Sequence, residues 1–430
     1  MTSSTPAATT ANRWIIVLAG VIMQLALGSV YAWSIYTKSL IKANGWSVTQ
    51  ATLPFTIAIA FIGIGAIIGG MWQDRAGPRL VALTGGIVYS IGVILAGFSI
   101  HNLTLLVISY GVLGGTGIGL AYITPVAMLV KWFPDRRGLV TGLAVAGFGG
   151  GAVAVSLLGP SLITSSGVNG ALLAFGIAYL ILTTLSALFF QNPAAGWSPA
   201  GWTAAPRLAS QRAARDFTQS EALSRPQWYA LWAMLTLNVT AGIMLISQAA
   251  PLATSKGQTV AAAAGFVALV SVFNATGRLF WSWLSDLIGR RQVFMTMFAL
   301  QAVIFAILTF AGKSLGFGAF AALLLIVALC YGGGFGSMPA FTADYFGAKY
   351  AGAIYGTMLT AWSVGGILGP ILIAQVKDRT GGYTVAFAVI AVVMLASLLL
   401  PIFTRAPQID AESPQMAPTQ ARTAQPGEAG

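Results

Sequence analysis

Two patterns in this chain could do chemistry, and the first is a single residue. Arg278 sits in the stretch AAAAGFVALVSVFNATGRLFWSWLS, an apolar run long enough to cross a bilayer, and no other Lys, Arg, Asp or Glu falls near the middle of such a run. A cation at that depth costs roughly 2.5–3.5 kcal/mol on insertion scales, so it faces a protein interior or a watery cavity and needs a partner. No acidic residue lies within its own helix turns. The simplest partner is an anion from outside the chain, and a guanidinium suits a carboxylate because two parallel N–H groups match its two oxygens. Arginine also keeps its proton at physiological pH, so an empty cavity would stay positive. Asn274, one turn earlier, shares the same face and can donate to that carboxylate or orient Arg278. The alternative is a structural arginine bonded to carbonyls of a neighbouring helix.

The second pattern is duplicated. Asp74, Gly77 and Arg79, with Arg75 beside the aspartate, recur as Asp286, Gly289 and Arg291 about 212 residues further on, both times as D-x-x-G-x-R. The glycine lets the chain turn tightly between two helices. The aspartate stands by a helix end, where it can pair with an arginine or cap backbone N–H groups. Such a cluster can latch helices in one conformation and release them in another. A weaker echo pairs Lys131-Trp132-Phe133-Pro134 with Asp344-Tyr345-Phe346-Gly347.

These residues need a membrane scaffold. Of 430 residues, 57% are hydrophobic and only 7% charged, against about 25% charged in an average soluble domain. The 51 glycines fit close helix crossings. Runs near the ~20 residues that span ~30 Å of hydrocarbon predict twelve helices, at 14–36, 50–73, 80–99, 104–130, 138–160, 169–190, 228–249, 259–284, 292–311, 317–338, 353–375 and 383–403. The fold class is therefore an all-α membrane protein. A cytoplasmic segment 1–13, a first bundle 14–190, a linker 191–227, a second bundle 228–403 and a disordered tail 404–430 are expected. Between Arg207 and Glu221 the linker could form a surface amphipathic helix or remain a solvated connection.

With the N-terminus inside, about fifteen Lys and Arg residues fall on the cytoplasmic side and about six on the other, so both termini are expected there. The same distribution explains the net charge of +12 without nucleic acid. Cys330 is alone, which leaves no intrachain disulfide and no Cys metal site. His101 lies in a short connection and receives no role. The runs contain no His, acid pair or metal constellation, so neither an enzyme nor a cofactor is expected. A drug or cation exporter would call for a buried acid in the cavity. A non-transporting sensor would call for a signalling domain.

Twelve spans, the duplicated motif and the central connection resemble the major facilitator superfamily over about residues 14–403. Within it, Lys131-Trp-Phe-Pro-Asp-Arg-Arg-Gly138-Leu-Val-Thr-Gly142, Gly28-Ser-Val-Tyr31-Ala-Trp33-Ser-Ile-Tyr36 and Asn274-Ala-Thr-Gly-Arg278 resemble the oxalate/formate antiporter family, itself similar to the monocarboxylate (lactate and pyruvate) transporters. The resemblance implies two pseudo-symmetric six-helix bundles around a central cavity that opens alternately to either side. It implies that Arg278 holds the substrate carboxylate, and that aromatic cavity residues match at Tyr31, Tyr122, Phe148, Tyr331 and Phe335. The last two, spaced i and i+4, share a helix face.

One departure bears on specificity. Oxalate carriers of that family carry a second cation, a lysine on the eleventh helix, and alignment puts Trp362 there. One arginine balances one carboxylate. The expected substrate is therefore a monocarboxylate such as lactate, pyruvate or formate, with oxalate:formate exchange as the alternative. No Asp or Glu stands deep inside the runs, so transport would be either proton symport assisted by the substrate's own carboxylate or exchange of anions. The protein is expected to act as a monomer in the lipid of a bacterial inner membrane. Glycines four apart (Gly65 and Gly69, Gly111, Gly115 and Gly119, Gly147 and Gly151, Gly365 and Gly369) read either as packing within each bundle or as sliding surfaces where the fifth, eighth and eleventh helices cross between bundles.

Overall fold

The computed structural model describes residues 12–194, 197–199 and 215–407, all helical or irregular. Twelve long helices run in order: α1 Arg13–Ala32, α2 Val48–Ala76, α3 Pro78–Phe98, α4 Leu103–Trp132, α5 and α6 as the two arms of Arg137–Leu188, α7 Pro226–Ile246, α8 Val260–Ile288, α9 Arg290–Phe310, α10 Phe317–Phe346, α11 Ala351–Lys377 and α12 Thr384–Phe403. Eleven of these are long and apolar enough to cross a membrane by length and composition; α8, the carrier of Arg278, stands outside those eleven but is 29 residues long.

The packing repeats between the halves. In the first, α1 lies on α5, α2 on α4 and α3 on α6; in the second, α7 lies on α11, α8 on α10 and α9 on α12. Between halves, α5 packs on α8 and α2 on α11. The motif glycines turn the chain as expected: Gly77 has φ 84° and Gly289 φ 100°, a region open to glycine at little cost. Pro78, next in line, starts α3 at a position where its missing N–H is no loss.

Several helices differ from their expected bounds. α1 passes at Ser29–Ala32 into a 3₁₀ turn and the chain then continues as a helix Ser34–Asn44. α5 and α6 are divided at Gly167 (φ 72°), so the fifth span runs further than 160. α10 continues to Phe346 rather than stopping near 338. Its last turns contain Ser337, Pro339, Thr342 and Asp344, which end the hydrophobic run, but protein covers them here. α11 is interrupted at Leu359.

The glycines four apart serve the bundles themselves. A Cβ at Gly115 would press on Ala58, at Gly147 on Val21 and at Gly369 on Thr240, all within one half. The crossings between halves use other glycines: Gly70 against Gly352, Gly356 against Ala66, and Gly138 and Gly142 against α8. In the linker, Arg207 through Ala214 lie outside the described residues, as do 1–11 and the tail from 408. What is described is a five-residue helix, Gln219–Leu223, opened by a reciprocal Thr218–Glu221 cap. The Arg215 guanidinium and the Thr218 N–H hold the Glu221 carboxyl down at about 2. The preceding residues dock on the second half, with the Phe217 N–H donating to the Phe346 carbonyl (2.8 Å). This linker face also gathers Arg13, both motif turns and the end of α12, where Arg291 donates to the carbonyls of Pro401 and Ile402.

Candidate functional site

Arg278 is 1% exposed. Its surroundings follow from how closely α10 lies on α8. Cβ atoms at Gly332 and Gly336 would collide with the carbonyls of Asn274 and Arg278, so only glycine permits the approach. That approach sets Phe335 beside the arginine, its ring centroid 5.1 Å from the guanidinium carbon. On the other side α1 crosses α5 so tightly that a Cβ on Gly28 would strike the Phe148 backbone. The 3₁₀ turn just beyond Gly28 carries Tyr31, whose ring meets Phe148 edge-on at 5.3 Å.

All six aromatics form one connected group. Tyr122 meets Phe148 at 5.0 Å and Tyr331 meets Phe335 at 5.3 Å. Trp362 joins the two sides, 6.2 Å from Tyr31, 6.4 Å from Phe148 and 5.4 Å from Phe335. The charge of Arg278 reaches the hydroxyls of Tyr31, Tyr122 and Tyr331. In the low-dielectric surroundings of such rings a cation–carboxylate contact is far stronger than in water.

Arg278 itself is only partly satisfied by protein. Nη1 donates to the Val145 carbonyl at 3.1 Å, across the boundary between halves, Nε makes a long 3.4 Å contact to Asn274 Oδ1, and the Tyr31 hydroxyl lies within hydrogen-bonding reach of the guanidinium. Among the described residues no carboxylate lies within ion-pair distance of it. Asn274 thus stands beside the guanidinium, and one carbonyl of the other half bonds it as it would a structural arginine.

Two further residues belong to this group and were not singled out from sequence. Tyr355 is buried with its hydroxyl beside that of Tyr122 and within electrostatic reach of Arg278. Gln24 is buried, donates to the Tyr122 carbonyl at 3.2 Å and leaves its own Oε1 unpartnered. Each precedes a site aromatic by seven residues in sequence, but the 3₁₀ turn of α1 and the break of α11 at Leu359 lie in between, so regular helical spacing did not mark them.

The duplicated motif builds two latches on the linker face, each joining the halves. Asp74 accepts the Ala353 N–H at the start of α11 (2.7 Å) and pairs with Lys131 (3.2 Å). Asp286 accepts the N–H groups of Gly138 and Leu139 at the start of α5 (2.9 and 2.8 Å) and pairs with Arg290 (2.6 Å). A negative charge suits both places because helix N-termini carry unsatisfied N–H groups and a positive dipole end. Asp344 extends the second latch. It pairs with Arg290 in its own half (2.9 Å) and with Arg137 of the other (2.6 Å). The echo noticed at Lys131 and Asp344 is thus the flank of each latch. Arg75 and Arg79 are exposed, and the cation at Asp74 is Lys131. Arg291 binds the end of α12 instead of the latch. Among described residues, hydrogen bonds between the two bundles lie at the level of Arg278 or on its linker side.

Comparison with known proteins agrees with this architecture. The chain is 29% identical over 394 residues to the oxalate:formate antiporter of Oxalobacter formigenes, covering 91% of each. It is 27% identical to apicoplast pyruvate carrier 1 of Toxoplasma gondii, covering 82% of each, and 25% identical to monocarboxylate transporter 13 of Rattus norvegicus, covering 94% of this chain and 92% of that one. Among solved structures, the transporter FucP in its outward conformation superposes with a TM-score of 0.69 at 18% identity, covering 91% of this chain and 98% of that one. The human organic anion transporter MFSD10 does so with 0.71 at 15%, covering 91% and 100%. These likenesses are of fold. A family model matches residues 10–370 and again 242–426, and on that ground the chain, an integral membrane protein, belongs to the Major Facilitator Superfamily.

Proposed function

We propose that this protein carries a small monocarboxylate across the membrane by alternating access, with Arg278 as the carboxylate-binding residue. The observation that carries the reading is a nearly buried arginine ringed by Tyr31, Tyr122, Phe148, Tyr331, Phe335 and Trp362, with no carboxylate of the chain in ion-pair reach. One guanidinium neutralises one carboxylate, and the rings enclose a short carbon body. Because Arg278 also bonds the Val145 carbonyl across the halves, an arriving carboxylate competes for the contact that spans the boundary. Binding would thereby be felt by the interface that must open. The chain divides into bundles 14–190 and 228–403 joined by 191–227, with both termini cytoplasmic in a bacterial inner membrane, and it works as a monomer. On that orientation the latches close the cytoplasmic side. Transport is coupled either to a proton or to a second anion.

The test is uptake and binding of labelled lactate, pyruvate and formate in vesicles. Arg278→Ala should abolish binding with insertion intact, and Arg278→Lys should fail as well because it keeps charge without the planar fork. Full transport by Arg278→Ala would remove the site. Oxalate:formate exchange is the second reading, favoured by similarity to a protein of that name. Trp362 stands against it, since a dianion would keep one charge unpaired. Trp362→Lys should move competition toward oxalate. Oxalate outcompeting every monocarboxylate in the unaltered protein would establish the second reading instead.

A further inference from the structure

We propose that the second half holds an anionic phospholipid, with its headgroup in a basic basin and an acyl chain in a groove below. The basin is a cavity of about 860 Å³ at the end of the bundle away from the linker face. Lys256, Lys313 and Lys377 line it, and among the described residues none that lines it is acidic. Lys256 is committed to structure: its ammonium donates to the carbonyls of Gly312, Lys313 and Leu315 and so ties down the turn between α9 and α10. Lys377 lies 5.0 Å over the Tyr383 ring. Neither Lys313 nor Lys377 makes an ion pair among the described residues. Two cations beside a wide cavity, with no acid among its described lining residues, attract an anion.

The second observation fixes what kind of anion. α9 and α12, which form one side of the basin, continue away from it with an apolar groove between them of about 390 Å³. Small side chains carve it, Ala302 and Ala306 on α9 and Ala388 and Ala391 on α12, and large ones wall it. The walls face outward: Phe310 is 90% and Val392 67% exposed. From Thr384 to Leu395 the groove and basin wall extend about 16 Å along α12, about half of a ~30 Å hydrocarbon core. Charge at the interface and an apolar channel one leaflet deep complement a lipid with an anionic headgroup. A small water-soluble anion would use only the basin, and a neutral lipid only the groove. This inference is independent of the Arg278 reading, since no residue is shared between the two sites.

The experiment uses the purified, delipidated full chain. Retention of dioleoyl phosphatidylglycerol and dioleoyl phosphatidylcholine is followed by mass spectrometry of the intact protein, with thermal unfolding in parallel. Glycerol 3-phosphate serves as the headgroup without chains. Phosphatidylglycerol should be preferred by roughly thirtyfold, the scale that two lysines give at a membrane surface, and should raise Tm more than phosphatidylcholine does. The double variant Lys313→Gln with Lys377→Gln should erase the preference while phosphatidylcholine still binds. Ala306→Leu, which fills the groove, should weaken both lipids. Equal retention of the two lipids, or a preference that survives the double lysine variant, would overturn the proposal. So would stabilisation by glycerol 3-phosphate equal to that by phosphatidylglycerol, which would make the basin a site for soluble anions.

Discussion

The latch at Asp74 and the latch at Asp286 come from one repeated pattern and clamp equivalent places, the starts of α11 and α5, yet they are built to different strengths. At Asp74 the carboxylate meets one lysine and accepts the Ala353 N–H at 2.7 Å with the Gly352 N–H beside it, so the two latches match in their N–H groups and differ in their cations. At Asp286 the carboxylate accepts two N–H groups and an arginine, and Asp344 adds a bond to Arg137 across the halves. The difference traces to one position. Where the first half has Lys131, the second has Asp344, so the second latch recruits Arg290 and Arg137 to balance it. Lysine offers a flexible point charge, whereas arginine offers a planar fork that can bond two partners at once. The comparison teaches that the halves open against unequal resistance, and that the α5–α8 side should release last.

The largest expected effect is therefore at Asp344. Asp344→Asn removes the carboxylate that pairs with Arg137 across the halves and with Arg290 in its own half. Breaking a buried pair by removing one partner costs about 3–5 kcal/mol. The linker face should open in most molecules, read as a lengthened distance between spin labels on cysteines placed at exposed Arg79 and Leu287. Cys330, the sole native cysteine, is buried and leaves such labels selective. An unchanged distance would mean that the second latch is not the stronger. Asp286→Asn comes next, at about 2 kcal/mol for charge-assisted bonds, and Asp74→Asn after it, at about 1 kcal/mol. Both should slow turnover while substrate affinity holds, because neither residue touches the aromatic group. Should Asp74→Asn prove the slower of the two, the ranking fails. Should either lower affinity with turnover intact, the latch reading itself fails. The smallest effect belongs to the linker. Gln219 donates to the carbonyl of Ala353, the residue whose N–H Asp74 holds, and to Thr357 Oγ1 at 2.7 Å. Gln219→Ala should lower Tm slightly and loosen only the Asp74 side; an effect larger than that of Asp74→Asn would make the linker the principal clamp.

The helices, their duplication and the place of Arg278 were legible because a bilayer forces long apolar runs and makes a charge within them conspicuous. The turns at Gly77 and Gly289 were legible because few residues fit them. The partners within each latch were not. Arg137 and Arg290 read as loop cations, Lys131 stood out only as part of a weak echo, and the nearest arginines in sequence, Arg75 and Arg79, are exposed. Which cation meets Asp74 depends on where α4 ends relative to α2, a matter of three-dimensional packing that spacing does not encode. Tyr355 and Gln24 were hidden for a different reason. Tyrosine and glutamine are common enough in large bundles that only a neighbour already assigned to the site draws attention to them. The end of α10 was misjudged because hydropathy measures contact with lipid, and its last turns are wrapped in protein.

The exchange of Lys131 for Asp344 also constrains how the protein is made. Arg137-Gly138-Leu139 in the first half corresponds to Ala351-Gly352-Ala353 in the second. If two first halves met as the natural halves do, Arg137 would face Lys131, cation against cation. Two second halves would set Ala351 opposite Asp344 and leave that acid without its arginine from across the boundary. Two first halves brought together in this way would therefore repel at this contact. Expressed alone, a first half is expected to remain monomeric and to assemble only when the second half is supplied in trans; a stable dimer of first halves would contradict this. Divergence at one helix end would then have turned a duplicated module into two that recognise each other and not themselves.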